Sequence, residues 1–137
     1  MITVQNTIDA SIDKVWNFWI LPEHIQNWNY PFDEWHTPHA ENDLQVKGKF
    51  KYKMAAKDKS ESFDFEGEYT KVEKFKLIEY KLLDDRTGSV LFENYGDKVK
   101  ITEVFEPTKN DSESMQKNWC QSVIDNFKKY VENNKGV

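Results

Sequence analysis

At 137 residues, 38% hydrophobic and 31% charged with a formal net charge of −5, the chain can bury one real core and is too acidic for a surface that displaces counterions from nucleic acid. Only five Gly and four Pro argue against low complexity, and a single cysteine, Cys120, excludes an intramolecular disulfide. No window nears the roughly 20 apolar residues of a membrane helix, and MITVQNTIDA lacks the charged and apolar regions of a signal peptide, so a reducing cytoplasm is the expected setting.

Ile2, Val4 and Ile8 alternate with Thr3, Gln5 and Thr7, the period of two that a strand requires, over residues 2–8. Asp9 or Ser11 caps the helix that follows, with Asp13 in its first turn and Ile12, Val15, Trp16 and Trp19 at helical spacing. Pro22 opens a second short helix, which carries Ile25 and ends near Trp28. Residues 29–34, with Pro31, read as a loop.

Strands are then expected near residues 35–43, 46–56, 62–75, 77–83, 89–94 and 98–106. Pro38 makes the first irregular or an edge strand. Phe50, Tyr52 and Met54 alternate with Lys49, Lys51 and Lys53, while Phe63, Phe65 and Tyr69 alternate with Asp64, Glu66 and Glu68. These are half-buried antiparallel strands with aromatic inner faces, one outer face basic and the other acidic. Lysines and aromatics on opposite faces do not present one surface to bases and phosphates, which argues further against nucleic acid. On the last strand Val99, Ile101 and Phe105 share a face with Glu103, and Pro107 closes the ladder.

Ser112 or Ser114 starts the longest helix, which runs to about Asn134. Met115, Trp119, Cys120, Val123, Ile124, Phe127, Tyr130 and Val131 give it a broad apolar stripe. Such a helix must lie against something large and apolar, and the sheet is the partner available. The order β-α-α-β-β-β-β-β-β-α implies an α+β fold in a single domain over residues 1–137. A curved antiparallel sheet of six to seven strands wraps the C-terminal helix, and two short helices plug one end.

Few residues offer chemistry. His39 and Glu41 share a face with Trp35 and Thr37 if their strand is regular, and Glu103 lies on another inward face. One reading is a buried polar cluster in which desolvation makes a carboxylate a general acid or base. The other is a structural pair, or a bulge that turns these groups outward. His36 and His39 point to opposite faces and His24 lies on a helix, so no metal-ligand spacing is present and no metal or cofactor is implied. Cys120 on the apolar stripe reads as a small buried hydrophobe, not a nucleophile. Trp28, Trp35, Phe50, Tyr52, Phe65, Tyr69, Trp119 and Phe127 form an aromatic set that plain core packing and a pocket wall explain equally. In the pocket reading Met54, Val123, His39, Glu41 and Glu103 complete the lining.

Several motifs recur together in order: Ser11-x-x-x-Val15-Trp16, Pro22-Glu23-His24-Ile25 with Trp28, Trp35, and His39-Ala40-Glu41-Asn42-Asp43. Gly48-x-Phe50, Phe63-x-Phe65-x-Gly67-x-Tyr69, Gln116-x-x-Trp119 and Asp125-Asn126-Phe127-Lys128-Lys129-Tyr130 continue the set across almost the whole chain. With this element order, the chain resembles the START-like helix-grip superfamily. More narrowly it resembles the activator of heat-shock protein 90 ATPase homologue family, in its short stand-alone form. The superfamily includes lipid and hormone binders, polyketide cyclases, an oxygenase class and co-chaperones, and the resemblance implies a deep apolar cavity between sheet and last helix. Asn118 stands where relatives often have Gly. The eukaryotic activators carry an additional N-terminal domain that contacts the chaperone, and the elements above leave no room for it.

Three functions are expected from this. The first is a binding module for an apolar or amphipathic small molecule, without catalytic residues. The second is a co-chaperone-type partner of a chaperone ATPase. The third is a cyclase, lyase or hydrolase on an aromatic substrate, which requires His39, Glu41 or Glu103 to face the cavity.

Overall fold

Alternating apolar and polar residues build seven strands, and two helical stripes plus a proline-started turn build three helices, in the computed structural model, which describes residues 1–134. In chain order these are β1 (Ile2–Ile8), α1 (Ile12–Ile20), α2 (Pro22–Trp28), β2 (Trp35–Asn42), β3 (Lys49–Ala56) and β4 (Ser62–Glu73). β5 (Leu77–Leu82), β6 (Thr87–Asn94), β7 (Val99–Phe105) and α3 (Glu113–Asn133) follow. The fold is the expected α+β helix-grip. The strands form one antiparallel sheet in the order β1-β7-β6-β5-β4-β3-β2. β2 to β7 are thus a meander, and β1 closes the far edge by pairing with β7.

β3 starts at Lys49, later than the apolar pattern predicts. Lys47 takes a left-handed φ of 70°, and its N–H donates to the Tyr69 carbonyl at 2.8 Å. Tyr69 N–H returns a 2.9 Å bond to the Gly48 carbonyl. Residues 43–48 therefore form a loop tied to β4.

The outer face of β3 and β4 carries the expected charge pairs, with Lys49 opposite Glu68, Lys51 opposite Glu66 and Lys53 opposite Asp64. Glycine sets the inner face. Gly67 lies across from Phe50 and Gly88 across from Tyr80, and a Cβ on Gly88 would come within 2.4 Å of the Tyr80 ring. Bare backbone there lets each ring lie flat on the neighbouring strand.

α3 is locked to the sheet edge by polar bonds as well as by its stripe. Asn6 Nδ2 donates to Asp125 Oδ1 at 2.8 Å, Gln121 Nε2 to the Gln5 carbonyl at 2.9 Å and Lys128 Nζ to the Thr7 carbonyl at 2.7 Å. These cover the outer edge of β1, which would otherwise offer unpaired backbone groups. Val123, Ile124, Phe127 and Val131 are the buried residues of the stripe. Ser112, of the two expected caps, is the one used: its Oγ accepts from Met115 N–H at 3.1 Å. Ser112→Ala should lower stability by about 1 kcal/mol, read from urea unfolding followed by circular dichroism.

α1 and α2 plug one end of the sheet. Trp19 and Trp28 stack at 4.8 Å between ring centroids, and Phe127 meets their edges at 5.0 and 4.8 Å. Trp28 Nε1 donates to the Phe18 carbonyl at 2.8 Å, so the indole is buried with its polar atom satisfied. Asn126 Nδ2 bonds the Trp28 carbonyl at 2.9 Å, which ties the plug to α3.

Candidate functional site

Between the inner face of the sheet and α3 lies a cavity of about 130 Å³. That is close to the roughly 150 Å³ of an apolar cavity that takes up benzene. The floor is the Trp19 and Trp28 plug. The wall from β3 and β4 is Phe50, Tyr52, Met54, Phe65 and Tyr69, all expected from the alternation. Trp119 and Val123 face in from α3, as expected from its stripe.

Glu103 lies on the wall too. It pairs with Val4 of β1 on one side and Val90 of β6 on the other, both buried, so its side chain belongs to the inward row. Glu103 is half-buried and lines the cavity, and burial alone pushes its carboxyl up to about 7. No hydrogen bond or ion pair contributes to that shift.

Four expected lining residues lie elsewhere. His39 and Glu41 face outward, 58% and 63% exposed, with His39 Nε2 3.1 Å from Glu41 Oε2. The reason is a bulge. Trp35 pairs with Ala56 and His36 with Ala55, but His39 pairs with Lys53, so β2 holds one extra residue between them. Pro38, which has no N–H to give the ladder, sits in that bulge. One inserted residue reverses the parity of everything after it. Ala40 and Asn42 thus share the face of Tyr52 and Phe50, while His39 and Glu41 join the outer lysines. Trp35 stands behind the rim, 5.0 Å from Trp119, and Phe127 stands behind the floor against Trp28. Both buttress the wall without lining it.

Seven lining residues were not in the expected set: Trp19, Asn29, Phe63, Ile78, Tyr80, Val90 and Cys120. Phe63 had its signal in the alternation and is 45% exposed at the rim. Ile78, Tyr80 and Val90 come from the middle strands, where apolar alternation reads as core. Trp19 carried the helical spacing of α1, which does not distinguish the end of a cavity from packing.

The other polar groups of the wall are occupied or held neutral. Tyr52 and Tyr69 hydroxyls lie 3.5 Å apart, and the Tyr69 hydroxyl donates to Asn42 Oδ1. Burial raises Tyr69 to about 12 and holds Tyr52 and Tyr80 well above the usual phenol range. Burial, with the Glu103 charge as a second cause, pushes the Cys120 thiol up to about 12. A thiol so placed is not a thiolate nucleophile near neutral pH. Tyr130 is not on this wall; its hydroxyl lies 2.7 Å from His24 Nδ1. Asn118, at the position noted for glycine, faces solvent. Among the described residues no group of three or more His, Cys, Asp or Glu is placed to hold a metal ion. No described helix is long and apolar enough to cross a membrane.

The model of the family described as "Activator of Hsp90 ATPase homolog 1-like protein" matches residues 9–132. The chain belongs to this family. Among solved structures of similar proteins, the AHSA1-like protein of Aeromonas hydrophila is 34% identical with a TM-score of 0.86, over 96% of this chain and 93% of its own. A protein of Cytophaga hutchinsonii is 44% identical with a TM-score of 0.83, over 97% and 92%. A protein of Nitrosomonas europaea, at 14% identity and a TM-score of 0.80 over 96% and 94%, shares the fold. No curated protein matches the chain significantly. Every residue of the cavity wall, from Trp19 to Val123 and including Glu103, lies within the family match.

Proposed function

We propose that this family member is a cytoplasmic, single-domain binding module whose cavity holds one small apolar or amphipathic molecule. The observation that carries the reading is the wall itself, which is aromatic and aliphatic with one carboxyl among its polar groups. Pockets for small molecules are mostly apolar with a few placed polar groups. The volume of about 130 Å³ limits the occupant to roughly a substituted benzene, well below a drug-sized ligand. The enzyme reading now rests on Glu103 alone, which faces the cavity while His39 and Glu41 lie outside.

Ethylbenzene is a suitable probe. Titration followed by tryptophan fluorescence should saturate, since Trp19, Trp28 and Trp119 line the cavity. Val123→Phe, which fills the space from α3, should abolish that response while the protein stays folded. Absence of saturable binding by the parent protein would refute the reading.

The family description supports a second reading, stimulation of a chaperone ATPase. Phe32 and Phe63, both exposed, extend the aromatic rim around Trp119 and offer an apolar contact. ATPase turnover of a heat-shock protein 90 with and without the protein tests it, and no stimulation removes it.

A further inference from the structure

Among the described residues, Glu103 is the only charged one on the cavity wall. The neighbouring hydroxyls of Tyr52 and Tyr69 already bond one another and Asn42. Among the described residues the carboxyl has no such partner, and desolvation is the sole cause acting on its charge. A half-buried carboxylate on an apolar wall without a cation or a donor is costly, and among the described residues neither is placed on it. The surroundings are aromatic rings, whose faces attract cations as well as apolar groups. A carboxylate facing aromatic walls across a space the size of one ring matches one kind of molecule.

We infer that the cavity selects a small aromatic amine, whose ammonium pairs with Glu103 while its ring lies among Trp19, Phe50, Tyr80 and Trp119. This rests on the reading of the cavity as a ligand site and names the class of ligand. The pairing supplies charge-assisted hydrogen bonds to a wall carboxyl that has no hydrogen-bond partner among the described residues. Its cost is reduced because the fold has already partly desolvated the carboxyl, so the ammonium sheds most of the water lost on entry.

Charge at the site is set by few groups. The titratable side chains that sense Glu103 are Tyr52 of β3, Tyr80 of β5 and Cys120 of α3. All three stay neutral from pH 5 to pH 8, being held above their usual ranges by burial. Glu103 alone changes charge in that window, with its carboxyl near 7.

The test compares three near-isosteric probes, benzylamine, benzyl alcohol and ethylbenzene, by calorimetric titration at pH 8. Benzylamine should bind more tightly than either neutral probe by about tenfold or more, as expected for a hydrogen bond to a charged group. Glu103→Gln should weaken benzylamine by about ten- to a hundredfold and leave ethylbenzene within about threefold, which also shows that the variant is folded. Lowering the pH to 5 should weaken benzylamine by a similar factor in the parent protein, because the probe stays an ammonium while Glu103 takes up a proton. The variant should show no such loss. Ethylbenzene binding with benzylamine no tighter, or benzylamine unaffected by Glu103→Gln, would overturn the amine assignment and leave the ligand site standing. Benzyl alcohol equal to benzylamine would overturn the requirement for charge. Failure of all three probes would overturn both readings.

Discussion

Truncation of Phe127 to alanine should lower the unfolding free energy by about 3–5 kcal/mol, the usual range for deleting a buried phenylalanine ring. Phe127 is fully buried and touches both tryptophans of the plug. It is where three elements meet, since Trp19 comes from α1, Trp28 ends α2 and Phe127 belongs to α3. Little can collapse into the space left behind, because Trp28 is anchored through its indole N–H and its carbonyl. In a thermal melt the loss should read as roughly 10–20 °C for a chain of this length. The matched control is Phe63→Ala at the exposed rim, which should cost less than about 1 kcal/mol because much of its ring already meets water. Equal losses at the two sites would mean that the plug is not the rigid end of the fold.

The same contrast explains what the sequence made legible. Strand alternation located the aromatic wall of β3 and β4, because each inward residue there has a charged neighbour on at least one side. The stripe of α3 was readable from its helical spacing. The bulge in β2 was not, since Pro38 signals an irregular strand without saying whether one residue is inserted. That single unknown moved His39 and Glu41 from the cavity to the outer face and brought Asn42 to the Tyr69 hydroxyl instead. Ile78, Tyr80 and Val90 were readable as buried but not as cavity wall. Whether a buried residue meets another side chain or an open space depends on sheet curvature and on where the helix sits. The role of Gly88 was hidden likewise, because it depends on the ring that lies across from it. Glu103 stood out in sequence as an acid in an apolar row, and its isolation became visible only when neighbouring strands placed Val4 and Val90 beside it.

That isolation sets a large pH effect between pH 4 and pH 8. Glu103→Gln should raise stability by about 2–3 kcal/mol at pH 8 and change it little at pH 4. The carboxyl titrates near 4.5 in an unfolded chain and near 7 when buried in the fold. Between those values the folded protein keeps a proton that the unfolded chain releases, so the parent protein's stability falls as pH rises through the window and is level above it. Below pH 4.5 both states are protonated and Glu103 costs no more than the glutamine, which resembles the neutral acid in shape and polarity. Other carboxylates titrate in both proteins, so the difference between their urea midpoints at each pH isolates this group. A gain of equal size at both pH values would assign the effect to packing. No gain at pH 8 would mean that water or a protein donor already satisfies the carboxylate. Benzylamine adds a sharper form of the experiment: an ammonium bound at Glu103 supplies the missing partner to the parent protein alone. At saturating amine and pH 8 the stability gap between the two proteins should therefore narrow, whereas ethylbenzene should stabilise both and leave the gap unchanged.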